Sequence, residues 1–268
     1  MVYFLSDAHL GSLVIKNRHE HQQRLVSLLE QMGRDATAIY LLGDIFDFWF
    51  EYFWADKSKF VYTPTLNCLK KLTQQGIDIH FFIGNHDIWT FGQLAYETGM
   101  IIHHEPYSTI LYGKRVFMAH GDGLVPTNYL QSLPTDVQKR IRAFMHLRRF
   151  FHNPVPQFFF RLLPPALGNQ WGYEWARKSR QKEINNPYPY KGENEEELVL
   201  FAKEMERSID SNDIQQPKYD YYIFGHRHIE LDLQLPTRAR VLILGDMFRQ
   251  WTFAQMDEKG EITMQNAQ

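Results

Sequence analysis

The sequence predicts an α/β fold of two mixed sheets packed face to face with helices outside, and three observations predict it. Over residues 1–122 short apolar runs alternate with helical patterns, as β-α-β units do. Several of those runs end in a polar residue, at the strand end where open α/β sheets place their sites. Near the other end, strand patterns follow one another with no room for helices between them, which predicts an antiparallel region.

Taken in order, Val2–Leu5 is an apolar run ending in Ser6-Asp7, and Arg18–Gln31 sets Leu25, Leu28 and Leu29 at helical spacing. Ile39–Leu42 is a second strand, ending in Gly43-Asp44. Leu66–Leu72 continues a helical pattern that stops near Gly76, and Ile77–Ile83 is a third strand ending in Gly84-Asn85. Thr109–Leu111 and Val116–Ala119 flank Tyr112-Gly113-Lys114-Arg115, a hairpin signal. Tyr219–Phe224, Leu231–Leu235, Val241–Leu244 and Trp251–Met256 are the later strands, and Asn194–Ser208 reads as a core helix leading back to them.

Between Gly123 and Asn186 the pattern changes. Phe144, Phe150, Phe151, Phe158, Phe159, Phe160, Trp171, Tyr173 and Trp175 crowd this stretch, and Pro154, Pro156, Pro164 and Pro165 break it up. Lys139, Arg140, Arg142, Arg148, Arg149, Arg161, Arg177, Lys178, Arg180 and Lys182 make it basic inside a chain of net charge −2. The whole reads as one domain over 1–268 with a mostly helical insertion at 123–186.

A hydrophobic fraction of 44% and a charged fraction of 22% belong to a folded, water-soluble chain. The near-neutral balance gives no whole-chain signal for nucleic acid. Cys68 is the single cysteine, so no intramolecular disulfide and no thiolate zinc site can form. The opening Met1–Asp7 meets a charge too early for a signal peptide, and no run approaches a spanning length. A cytoplasmic protein is expected, able to lie peripherally on the inner face of the cell membrane.

Five short motifs sit at strand ends: Asp7-Ala8-His9, Gly43-Asp44-Ile45-Phe46-Asp47, Gly84-Asn85-His86-Asp87, His120-Gly121-Asp122 and Gly225-His226-Arg227-His228. Each alone is weak, since an Asp or Gly-Asp after a strand is usually a turn. Their joint occurrence is what a two-metal site requires. A phosphodiester or pyrophosphate is anionic and repels hydroxide, and two divalent ions supply both the charge and an activated water. One carboxylate has to join the ions, and Asp44 is the natural bridge. Nitrogen and oxygen donors without thiolate favour Mn²⁺, Fe or Zn²⁺. Asp47 and Asp122 fit a supporting role, orienting neighbouring ligands.

These motifs, spread from Asp7 to His228, resemble those of the calcineurin-like metallophosphoesterase superfamily. The resemblance implies a four-layer αββα sandwich and metal ligands Asp7, His9, Asp44, Asn85, His120, His226 and His228. It implies Asp7, His9, Asp44 and His228 around one ion, with Asp44, Asn85, His120 and His226 around the other. His86 is implied as the phosphate-facing acid and Asp87 as the residue that positions it. Phe4–Gly11 and Leu42–Trp49, together with the insertion after Asp122, resemble the UDP-2,3-diacylglucosamine hydrolases of lipid A synthesis. Those enzymes cleave the pyrophosphate of a lipid-linked nucleotide sugar to UMP and a diacylated glucosamine 1-phosphate, usually with Mn²⁺, under a helical cap that houses the acyl chains. Their best-characterised branch has Arg where this chain has His86.

Tyr129, Ser179 and Lys182 fall roughly where such hydrolases contact substrate. The aromatics of the insertion fit either a small core or a greasy groove, and its cations either a solvated face or one meeting anionic lipid headgroups. Two other functions compete: a phosphoesterase for a nucleotide or another phosphodiester, and a non-catalytic protein-binding scaffold. A nuclease is a variant of the first, the basic insertion tracking a phosphate backbone. The complete ligand set speaks against the scaffold, and nothing in the sequence implies a protein partner.

Overall fold

Strand β1 (Val2–Leu5) is apolar on both faces, and each face enters a different core. In the computed structural model, which describes residues 1–185, 189–211 and 218–267, this alternation sets the layers. Tyr3 and Leu5 point to the helices α1 (Arg18–Met32) and α2 (Thr63–Gln74), while Val2 and Phe4 point to the second sheet. The first sheet runs on through β2 (Ala38–Leu41), β3 (Asp78–Phe82) and β4 (Ile101–His103), all parallel to β1. A short helix, α3 (Gln93–Thr98), precedes β4.

The second sheet starts with a hairpin, β5 (Tyr107–Leu111) and β6 (Lys114–Ala119). Its turn is Tyr112-Gly113, both at positive φ (46° and 79°), as a two-residue hairpin turn demands. On β6, Val116 and Met118 face the first sheet, while Phe117 and Ala119 face an outer helix.

The insertion follows as α4 (Thr127–Ser132), α5 (Thr135–His152), α6 (Pro154–Arg161) and α7 (Pro165–Asn185). Asn153 caps α6 by accepting from the Val155 N–H at 2.9 Å, with Pro154 in the first turn. Next comes the outer helix α8 (Glu197–Ser211), then β7 (Tyr221–Phe224), β8 (Glu230–Gln234), β9 (Arg240–Leu244), β10 (Thr252–Met256) and β11 (Ile262–Asn266).

The expected antiparallel region is only partly so. β8 pairs antiparallel with β9, but β7 lies between β6 and β9 and is parallel to both. The helix α8 makes the β6–β7 crossover possible. β10 leaves for the first sheet and pairs with β1 and β11. Sheet orders are β11-β10-β1-β2-β3-β4 and β5-β6-β7-β9-β8, so the layers read helix, sheet, sheet, helix.

One stripe of α7 anchors the insertion. Gly168, Gly172, Ala176 and Arg180 recur every four residues and share a helix face. A Cβ at Gly168 would collide with the Tyr52 ring, and one at Gly172 with Phe48, so only glycine lets α7 approach this closely. Around the stripe, Tyr52 donates to Asn169 at 3.1 Å and the Tyr62 and Tyr173 hydroxyls meet at 2.9 Å.

Candidate active site

Five strands deliver the five motifs to one place. Asp7 and His9 follow β1, Asp44 follows β2, Asn85 follows β3, His120 follows β6, and His226 and His228 follow β7. Five of these residues hold positive φ: Asp7 54°, His9 45°, Asp44 53°, His226 68° and His228 50°. Such a conformation costs about 1 kcal/mol or more at a residue other than glycine and persists where surrounding structure over-determines it. Hydrogen bonds between the loops supply that constraint. Asp7 N–H donates to the Gly43 carbonyl at 3.0 Å, His9 N–H to Asp44 at 2.9 Å, and His226 N–H to the Asp7 carboxylate at 2.9 Å. Gly84 is required for space, because a Cβ there would strike the Asp44 carboxylate.

Asp7, His9, Asp44, His120 and His228 are buried, and their donor atoms converge. His228 Nε2 is 3.0 Å from an Asp7 oxygen, and His9 Nε2 is 3.3 Å from His228 Nε2. His120 Nε2 is 3.3 Å from Asn85 Oδ1 and 3.5 Å from an Asp44 oxygen. Sets of three, among them Asp7, His9 and His228, or Asp7, Asp44 and His120, place their atoms within 4.8 Å of one another.

The tautomer of His120 tests whether a cation fits. Its Nδ1–H donates to the Leu42 carbonyl at 2.8 Å, so the Nε2 lone pair faces a carboxylate and an amide oxygen. Those groups repel unless positive charge lies between them. Burial opposes a charged His120, yet Asp44 and Asp7 push its pKa up to about 10, so a proton can stand in for a metal ion. Asp7 and Asp44 likewise fall well below the carboxylate range despite burial, through His228 and His120 respectively. The donor set suits divalent ions.

His86 is fully buried at the edge of this cluster, and its Nδ1–H donates to the Asp47 carbonyl at 2.8 Å. Nε2 is therefore the free acceptor, and Arg180 donates to it at 2.9 Å. Burial holds the His86 pKa down at about 3. The sequence expectation has Asp87 positioning His86; the hydrogen bonds put Asp87 to another use. Its carboxylate accepts from the N–H groups of Gly84, Asp44, Ile45 and Phe46 at 2.7 to 3.2 Å, and so stitches the Asp44 loop to the Asn85 loop. Asp47 lies 3.3 Å from His9 Nδ1, and Asp122 accepts from Arg148 of α5 at 2.5 Å.

A cavity of about 860 Å³ opens over the cluster. Asn85, His86, His226 and His228 line its floor, and Phe144, Leu147, Trp175, Ser179 and Arg180 of the insertion line a wall. Of the three weakly matched substrate positions, Ser179 is on that wall. Tyr129 is elsewhere, its hydroxyl donating to the Glu195 carbonyl at 3.3 Å. Lys182 lies on α7, with its side chain outside the described residues.

Two contributors escaped the sequence reading. Asp246 follows β9 and accepts from the Phe248, Arg249 and Gln250 N–H groups, folding a loop against the cluster. Phe248 from that loop packs edge-on against His9 and His228. Gly245-Asp246 after an apolar run repeats the Gly43-Asp44 signal and was available to find it. Arg180 is the second. Its signal is subtler: it extends the Gly168, Gly172 and Ala176 stripe, which marks the inward face of α7.

Several known proteins are similar to this chain. A family model described as calcineurin-like phosphoesterase matches residues 1–230. A UDP-2,3-diacylglucosamine hydrolase of Porphyromonas gingivalis is 34% identical over 266 residues, covering 96% of this chain and 94% of that protein. The protein of the same name in Actinobacillus succinogenes is 27% identical over 244 residues, covering 91% and 90%. A dimetal phosphatase structure from Danio rerio aligns at 12% identity and TM-score 0.40, covering 100% of this chain and 98% of that one. The family model spans every motif from Asp7 to His228, and the chain belongs to the calcineurin-like phosphoesterase family of metal-dependent hydrolases.

Proposed function

We propose that this enzyme cleaves the pyrophosphate of UDP-2,3-diacylglucosamine, giving UMP and 2,3-diacylglucosamine 1-phosphate, a step of lipid A synthesis. One observation carries the reading: a cavity floored by the histidine, carboxylate and amide cluster and walled by an apolar helical insertion. The relatives named for that substrate, matched nearly end to end, support it.

Asp7, His9, Asp44 and His228 would hold one divalent ion; Asp44, Asn85, His120 and His226 would hold the second. Mn²⁺ is the favoured metal, with Fe or Zn²⁺ also compatible with the donors. Bound there, the ions supply charge at the phosphoryl oxygens and an acidified water. The chain does the rest. Leu42 and Asp47 carbonyls fix the His120 and His86 tautomers, so His86 Nε2 points at the cavity to hold or transfer a proton at a phosphoryl or leaving oxygen. Asp87 keeps the Asp44 and Asn85 loops in register.

The insertion, 123–186, acts as a cap that selects a lipid. Beyond Phe144 and Leu147, the next turn of α5 brings Phe150 and Phe151 to a second, apolar pocket of about 480 Å³, lined also by Trp89, Val155, Phe159 and Phe160. An acyl chain suits such a lining. Outside it, Phe53, Trp54, Phe158 and Leu162 are exposed, and Phe53 and Phe158 pack together at 5.8 Å. That patch would dip into a membrane surface, which supports a peripheral place on the inner face of the cell membrane. Among the described residues no helix is long and apolar enough to cross a membrane.

The test is hydrolysis of UDP-2,3-diacylglucosamine with Mn²⁺, detecting UMP, with His120→Ala as control. UMP release that the variant loses supports the reading. Silence on this substrate with turnover of a simple chromogenic phosphodiester overturns it in favour of a smaller phosphodiester.

A further inference from the structure

Resting on that reading of the site, we propose that Arg180, carried in by the insertion, is the cation that binds the substrate's phosphate beside His86. A guanidinium on an inserted surface helix ordinarily stays in water. Arg180 instead is only 5% exposed, because the Gly168, Gly172 and Ala176 stripe presses α7 against the body and Arg180 continues it. The side chain reaches across the cavity wall to the cluster. Nη2 donates to His86 Nε2 at 2.9 Å and lies 3.8 Å from an Asp44 oxygen. Nη1 is 3.4 Å from the ring nitrogens of His228, and Nε is 3.6 Å from an Asp47 oxygen.

Three arginines line this cavity, and they differ in what holds them. Arg227 is clamped by Glu196 at 2.6 and 3.0 Å, and Arg249 is held by Asp246 at 3.0 Å. Each of those forks spends its donors on a carboxylate that belongs to the scaffold. Arg180 spends its Nη2 donor on the His86 imidazole and stands 3.6 to 3.8 Å from the Asp47 and Asp44 carboxylates, longer than the contacts that clamp the other two, so an incoming anion competes with an imidazole at that donor. Its planar fork matches two phosphoryl oxygens.

The arrangement divides the labour around one phosphate. The strand-end cluster serves one side, and the cap's guanidinium serves the other. Docking of α7 and phosphate binding thereby become coupled: a cap held away from the body leaves the site without this cation.

Calorimetric binding of inorganic phosphate and of UMP to the Mn²⁺-loaded protein tests the assignment, comparing wild type, Arg180→Ala and Arg180→Lys. Loss of a charged hydrogen-bond donor predicts about 10- to 100-fold weaker binding in the Ala variant, partly restored by Lys. Manganese content and melting temperature should stay at wild-type levels, and KM for the lipid substrate should rise more than kcat falls. Equal phosphate affinity in wild type and Arg180→Ala overturns the proposal. So does loss of bound manganese in both variants, which would make Arg180 a support of the metal cluster. A wild type that binds phosphate through Arg180 yet leaves UDP-2,3-diacylglucosamine intact would overturn the substrate reading and still support Arg180.

Discussion

Strands β1, β2 and β7 are buried at every position, whereas helices α4, α5 and α6 bury none of their residues. Both regions are rich in aromatics, so composition alone does not explain the contrast. In the sandwich, each of these three strands has a layer on either side, and Phe4, Phe81 and Phe224 are wholly enclosed. The insertion has the body on one side only. Phe151, Phe160 and Tyr173 turn toward the body and pack against its core, while Phe150, Phe158, Phe159 and Trp171 stay in solvent. A fold keeps that much exposed apolar surface where something is meant to cover it. The sandwich is therefore read as the chemical platform and the insertion as the selector of substrate.

Removing a strand-end ligand should be the largest effect, and it should be blind to substrate. Asp44→Asn is expected to lower hydrolysis of both the lipid substrate and a simple diester by about 10³-fold, several kcal/mol of transition-state stabilisation at 1.36 kcal/mol per decade. Folding should survive, since the amide keeps an oxygen for the His86 N–H and Asp7 still faces the His120 imidazole. Rates on the two substrates and bound manganese check this. Loss on the lipid substrate alone would break the division between platform and selector.

Much of this was legible because strands buried on both faces leave an unmistakable mark. Val2–Leu5, Ile39–Leu42 and Val241–Leu244 are continuous apolar runs, each followed within two positions by a polar residue, and the runs match observed strands to within a residue or so. The cluster was legible for the same reason: its members are tied to strand ends. What stayed hidden depends on distance through space. Nothing local in Tyr219–Phe224 says that β7 will lie parallel between β6 and β9; the crossover through α8 decides it. Asp87 reads like a partner for its neighbour His86, but its four N–H donors come from two loops about forty residues apart. Arg180 is one cation among many in a basic stretch until the glycine stripe shows which way α7 faces.

Stability should separate the two regions next. Phe4→Ala opens a hole between the sheets and is expected to cost about 3–5 kcal/mol. Phe53→Ser and Phe158→Ser, at 48% and 51% exposure, should each stay within about 0.5 kcal/mol. The double variant should nonetheless lose binding to anionic phospholipid vesicles by more than about tenfold, each ring forgoing roughly 1.5–3 kcal/mol of burial in lipid. Denaturant melts and vesicle sedimentation test both halves. A strong loss of stability in Phe53→Ser with Phe158→Ser would mean that the patch is part of the insertion's own core, and the contrast would fail.

The smallest expected effect concerns Cys68, on the α2 face that packs against α1. It is 6% exposed, and burial, reinforced by Glu30, pushes its thiol up to about 11. The thiolate is the reactive form, so the native protein should react slowly with a disulfide reagent at pH 8 and faster as pH climbs toward 11. The sign for stability follows from the same shift. A thiol whose folded pKa is raised keeps its proton more tightly when folded, so its contribution is intact below the unfolded pKa, near 8.5, and is lost as pH rises through the folded value. Cys68→Ala should flatten that decline above about pH 9, a difference of tenths of a unit in denaturant midpoint that only paired melts would resolve. Rapid labelling of the native protein at pH 8 would show that α1 and α2 part readily, and that the platform is less rigid than its buried strands imply.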